Sequence, residues 1–219
     1  MSPVSLRLAD RTWHVDYEGE GAIDAGGVFR DSVSHMCNDL QSTDLPLMVR
    51  CANASGFGDN QDRWLPSPAC TSSLHLSMLS FMGKLMGIAM RGKHILNLDL
   101  VPLVWKKLVG SPVTTNDLQD IDALTYNVIQ RLRDSSDLTE EGFEDKFREH
   151  FTTVTDDGRQ IELVSGGASK RVTWENRLEY ADLVEKHRLS AYDRQIDAIR
   201  QGLGTIVPVQ LLPLFTWQE

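Results

Sequence analysis

The residues able to do covalent or metal chemistry are three cysteines, Cys37, Cys51 and Cys70, and six histidines, His14, His35, His75, His94, His150 and His187. A cysteine nucleophile needs a nearby cation or base to favour its thiolate. Cys70 stands between Ala69 and Thr71 beside Pro68, with no positive charge near it in sequence. An odd number of cysteines without CxxC spacing points away from a disulfide framework and from a zinc site. The histidines are scattered singly, without the i,i+4 pair that aims two imidazoles at one metal. No Gly-x-Ser-x-Gly elbow occurs, and the acid pairs Glu140-Glu141 and Asp156-Asp157 lie in polar stretches, where carboxyl groups keep ordinary pKa values. The run Gly19-Glu20-Gly21-Ala22-Ile23-Asp24 puts aspartate where a dinucleotide fingerprint needs its third glycine, and no Gly-Lys-Ser/Thr ending makes it a phosphate loop. The chain is therefore expected to hold no catalytic residue, metal or cofactor of its own, and its function should lie in its surfaces.

Those surfaces are acidic. The net charge is -9 and basic runs are no longer than pairs such as Lys106-Lys107 and Lys170-Arg171, which excludes nucleic acid as a partner and suits a basic protein. With 41% hydrophobic and 24% charged residues, the 219-residue chain has ordinary globular usage and enough apolar side chains for a sizeable core. Reduced cysteines and a start, Met1-Ser2-Pro3, unlike a secretion signal predict a cytoplasmic or nuclear setting. The strongest apolar stretch, Leu74 to Met90, carries His75 and Lys84 and is read as a core helix, not a membrane span. Met78, Met82, Met86 and Met90 fall four apart on one face, and Gly83 and Gly87 allow a neighbour to approach closely.

Around that helix the pattern predicts a strand over residues 12–17, a glycine-rich turn in which Asp24 caps a helix from Val28 to Leu40, and a short strand at Leu47-Met48-Val49. A polar loop, expected to be mobile, covers Asn53 to Pro68, and a helix runs from Val101 to Leu108. Acidic residues then dominate from Asn116 to His150. One helix is expected over residues 117–133, with Leu118, Ile121, Leu124, Val128 and Leu132 on one stripe, and a second carries Phe143, Phe147 and Phe151. Asp156-Asp157-Gly158 forms a hairpin turn before Ile161-Glu162-Leu163. Thr173 should cap one long helix bearing Leu189, Tyr192, Ile196, Ile199 and Leu203, and the apolar tail from Val209 to Phe215 docks behind it. The expected fold is α+β and predominantly helical. Residues 1–115 and 172–219 make a larger helical subdomain, and residues 116–171 a small helix–hairpin one.

Several stretches carry a family likeness. Tyr17 to Arg30, reading YEGEGAIDAGGVFR, resembles the opening strand and turn of HECT-type ubiquitin ligases. Four more follow in the family's order: Phe81 to Ala89, Trp105-Lys106-Lys107-Leu108, Asp117-Leu118, and Val172 to Arg177 with Tyr180. Gln201-Gly202-Leu203, Ile206-Val207-Pro208 and Leu214-Phe215-Thr216 complete the series, and Ser5-Leu6-Arg7-Leu8 before Trp13 is similar to the large HERC-type members. The resemblance implies the N-terminal lobe of a bilobal ligase. Such enzymes take ubiquitin from a ubiquitin-conjugating enzyme onto a cysteine of a separate C-terminal lobe, then pass it to a substrate lysine. No cysteine here sits in the Thr-Cys-Phe-like motif of that lobe, which is expected to be absent from these residues.

The resemblance also implies where the conjugating enzyme docks, in an apolar groove of the small subdomain. Tyr126, Val128, Ile129 and Leu132 match its helix face, Tyr180 its aromatic on the return helix, and Phe143 or Phe147 the segment between. Thr125, Arg131 and Ser135 depart from the apolar, acidic or aromatic residues that relatives carry there. Leu132, Phe147 and Phe151 are equally suited to the groove and to the core of so small a unit. Ubiquitin and a protein substrate, the latter held by regions outside this chain, are the further implied partners. The alternative is a non-catalytic interaction scaffold with the same fold, and exposure of Tyr126, Ile129 and Tyr180 discriminates between the two.

Overall fold

The computed structural model describes residues 12–19, 27–134, 139–156 and 158–218. Helices dominate: α1 (Gly27–Leu40), α2 (Ser73–Gly92), α3 (Pro102–Val109), α4 (Thr115–Ile121), α5 (Ala123–Arg133), α6 (Glu140–Lys146), α7 (Arg177–Ser190) and α8 (Asp193–Gly204). Two small antiparallel sheets pair β1 (Met48–Arg50) with β2 (Trp64–Pro66), and β3 (Thr152–Val154) with β4 (Gln160–Glu162). The chain is thus α+β and predominantly helical, as the pattern predicts.

The centre of the larger part is the crossing of α2 and α8. Ser72 opens α2 by accepting a hydrogen bond from the His75 backbone N–H at 3.2 Å. Leu79, Met82 and Leu85 of α2 and Ile196, Ile199 and Leu203 of α8 are buried, each side chain contributing about 1.5–3 kcal/mol by leaving water. The two backbones approach so closely that a Cβ on Gly83 would run into the Ile199 carbonyl, and one on Gly202 into that of Ser80. A Cβ on Gly87 would stand 2.6 Å from Ile206 Cβ. By length and composition α2 could cross a membrane, but one face of it is committed to this crossing. The methionine stripe divides: Met82 and Met86 are buried, whereas Met78 and Met90 are exposed. α3 starts with Pro102 and stops at Gly110, whose φ of 78° suits glycine.

Several expectations change. Residues 14–17 form no strand; Trp13 instead packs on Phe29 of α1 with ring centroids 4.7 Å apart, and the Tyr17 hydroxyl donates to Asp31. The Asp24 cap lies outside the described residues. The helix expected over residues 117–133 is broken at Asp122, where φ −152° and ψ 77° leave helical space. Asp122 spends its carboxylate on capping α5, accepting from the Thr125 N–H at 3.0 Å. The single long helix expected after Thr173 is likewise two, α7 and α8, and Thr173 donates its own N–H to Asn176 Oδ1 rather than capping. Phe147 ends α6, and Phe151 lies beyond it, immediately before β3.

The segment from Asn53 to Pro68, expected as a mobile loop, contains β2 and is clipped down along its length. Asn53 is 2% exposed. Its Nδ2 donates to the Asp59 carbonyl at 2.8 Å and the Gln119 carbonyl at 3.0 Å, and its Oδ1 accepts from the Ala123 N–H at 2.8 Å. Asn60 Nδ2 adds a bond to the Asp120 carbonyl at 3.1 Å. At the C-terminal end, a 3-10 segment, Val209–Leu214, buries Leu212 and leaves Leu211, Leu214 and Phe215 exposed.

Candidate functional site

The residues expected to bind a partner sit on α5, α6 and α7, whose relative placement is set by charge. Ion pairs tie both ends of α5 to α7. At the start of α5, Arg188 Nη2 of α7 lies 2.6 Å from Asp122 Oδ2. At its end, Arg133 bridges back to Asp182 and Glu185 of α7, each at 2.6 Å. Arg188 also holds the β3–β4 turn, with Nη2 2.8 Å from Asp156 Oδ1 and Nη1 donating to the Val154 carbonyl at 3.2 Å. Tyr192, fully buried at the start of α8, donates its hydroxyl to the other Asp156 oxygen. Burial works against the Arg188 charge, but Asp156, Tyr192 and Asp122 outweigh it and its pKa is raised. Asp156, read from sequence as solvated, is thus one of the most enclosed charges in the chain, with a side chain 4% exposed.

An aromatic stack covers α7 on the hairpin side. Phe143 meets Phe147 at 5.3 Å and Trp174 at 5.9 Å; Tyr180 meets Phe147 at 6.0 Å and Phe151 at 5.6 Å, both edge-on. The Tyr180 hydroxyl donates to the Thr152 carbonyl at 3.2 Å, and burial, with Glu149 adding to it, pushes its pKa up to about 12. Lys170 places its ammonium 3.7 Å from the centre of the Phe151 ring.

These contacts divide the seven expected docking residues. Ile129, Leu132 and Phe143 are core side chains and Tyr180 is 8% exposed, so in this structure these four serve packing, because the narrow unit must bury one face of each helix. Tyr126 and Phe147 are half-buried, and Val128 is 43% exposed. Leu124 is more open still at 55%, one turn before Val128 on the same face. Sequence periodicity had put Leu124 inside the buried stripe. The break at Asp122 starts a new helix there and turns Leu124 and Val128 outward. An apolar pair on a helix fixed at both ends would lose little conformational freedom on meeting a partner.

The candidate nucleophiles offer no competing site. Cys37, Cys51 and Cys70 are all buried, and burial raises each thiol pKa away from reactivity. The Cys51 and Cys70 sulfurs donate to the carbonyls of Asn60 at 3.0 Å and Pro46 at 2.8 Å. Among the described residues no group of three His, Cys, Asp or Glu could hold a metal ion.

A family model for the HECT-domain (ubiquitin-transferase) matches residues 34–219. This chain belongs to the HECT-domain family. Two relatives are named E3 ubiquitin-protein ligase HERC2: the mouse protein is 37% identical over the whole chain, and the human protein 38% identical over 99% of it. The chain spans only 4% of the length of either relative. The matched stretch takes in α5, α6, α7 and the hairpin together.

Proposed function

We propose that this chain is the N-lobe of a HECT-type E3 ubiquitin ligase and that it recruits a ubiquitin-conjugating enzyme. The observation that carries this reading is the outward apolar pair Leu124 and Val128 on a helix tied at both ends to α7. Family membership and the ligase names of the relatives support it. The burial of all three cysteines is in keeping with it, the reading assigning the ubiquitin-accepting thiol to a separate C-lobe. There the thiol sulfur attacks the thioester carbonyl at the ubiquitin C-terminus and displaces the conjugating enzyme's sulfur; a substrate lysine amine then displaces the second sulfur and forms an amide. The docking unit comprises residues 116–171 with α7 as its floor, in a cytoplasmic or nuclear protein whose substrate is held elsewhere. The contact is small and transient, below about 1,200 Å².

NMR titration of the isotope-labelled chain with a panel of conjugating enzymes tests this. The proposal expects saturable amide shifts on residues 124–131 and around Phe147; shifts confined to α1 or the tail, or none with any enzyme, count against it. A second reading, a non-catalytic scaffold, draws on the burial of Ile129 and Tyr180, two of the three residues whose exposure discriminates, and of Leu132 and Phe143, which leaves a shallower surface than a full groove.

A further inference from the structure

We infer that the docking surface does not stop at α5 but continues onto the loop of residues 56–60, where Phe57 and Asp59 contact the conjugating enzyme and favour one that presents a basic residue beside an apolar one. The inference rests on the recruitment reading above.

Phe57 is 46% exposed although its loop is anchored. Gly56 and Gly58 on either side of it hold φ of 98° and 89°, conformations that glycine adopts freely, and between them they turn the phenyl ring away from the core. The loop lies directly on the start of α5. A Cβ on Gly58 would stand 2.8 Å from Ala123 Cβ, and Asn53 binds both the Asp59 carbonyl and the Ala123 N–H. Phe57 and Leu124 are therefore each one residue from a point of backbone contact between loop and helix. Phe57 on the loop, and Leu124 and Val128 one turn apart on α5, are all exposed. Rings on rigid supports make good contact residues because little conformational freedom is lost when they bind.

Charge names the partner. Asp59 is exposed on the loop, and Asn60 of the same loop donates its Nδ2 to the Asp120 carbonyl at 3.1 Å, so both acidic residues lie at the contact between loop and helix. Lys106 is already held by Asp117 at 2.6 Å. Asp59 and Asp120 thus leave a negative rim beside the apolar strip, which an incoming Lys or Arg neutralises and an acidic face does not. A basic and apolar face on the partner fits both features.

Calorimetric titration of the chain and of Phe57→Ala, Asp59→Asn and Val128→Asp variants against a panel of conjugating enzymes, at low and high salt, tests the inference. Phe57→Ala should weaken binding at least about fivefold, the loss expected of a contact residue worth more than about 1 kcal/mol. Asp59→Asn should flatten the salt dependence and the preference for enzymes with a basic docking face. Both residues are exposed, so an unchanged thermal midpoint verifies folding. If Val128→Asp abolishes binding while Phe57→Ala stays within about twofold of wild type, the surface ends at α5 and the inference is overturned with recruitment intact. If no enzyme binds, or Val128→Asp changes nothing, recruitment falls and the inference falls with it.

Discussion

Asn53 Oδ1 accepts a hydrogen bond from the Ala123 N–H at 2.8 Å, joining residues seventy positions apart and seating the loop after β1 on the first turn of α5. The same side chain donates to two carbonyls, so Asn53→Ala leaves one buried donor and two acceptors without partners. We expect a loss of about 1–3 kcal/mol in urea unfolding and faster hydrogen exchange at Ala123. Unchanged exchange there would show that the loop holds its place without this residue.

Arg188 is the hub between α5, the hairpin and α8. Arg188→Met strands the carboxylates of Asp122 and Asp156 in an enclosed site and should cost about 3–5 kcal/mol. Adding Asp122→Asn and Asp156→Asn to that variant should recover part of the loss, since the charges that made the vacancy costly are then gone. A single-variant loss below about 1 kcal/mol would mean that the ion network is incidental to stability.

His187 adjoins this hub. Its Nε2 is buried without a hydrogen-bond partner among the described residues, and its pKa is lowered by burial first, then by Arg188, with Asp156 opposing. The unfolded imidazole takes up a proton near its ordinary value of about 6.5, while the folded one resists it. The stability contribution of neutral His187 is therefore complete above that pH and is lost as pH falls through it towards the depressed folded value. Urea midpoints measured from pH 7.5 down to 5 should decline more steeply for wild type than for His187→Gln. Parallel declines would assign the pH dependence to other groups.

At the α2–α8 crossing, Gly83→Ala should destabilise by about 1–3 kcal/mol or more, because the added methyl meets a backbone carbonyl that cannot rotate away. Thermal unfolding would reveal it. Equal stability would mean that the helices can separate at no cost.

The helical class, the core role of α2 and the hairpin around Gly158 were legible because each rests on local periodicity or turn chemistry. Gly83 was legible as a point of close approach, but Gly202 on the facing helix was not. The helix break at Asp122 and the α7–α8 junction at Tyr192 were hidden because both residues make long-range side-chain bonds, to Arg188 and to Asp156. Sequence adjacency does not record such bonds. The site suffered most from this, since the break at Asp122 decides that Leu124 faces outward, and Asn53, the residue that brings Phe57 alongside, looks like any other polar loop residue. The aromatic stack was half visible: its members were found, but α7 turns Tyr180 into the stack rather than towards a partner.

Recruitment itself is tested most directly by calorimetric titration of wild-type chain and the Leu124→Asp, Val128→Asp double variant with ubiquitin-conjugating enzymes, circular dichroism having verified that both are folded. Saturable binding by at least one enzyme, lost in the folded double variant, is the predicted result. Equal binding by both proteins, or no binding to any conjugating enzyme, would contradict it.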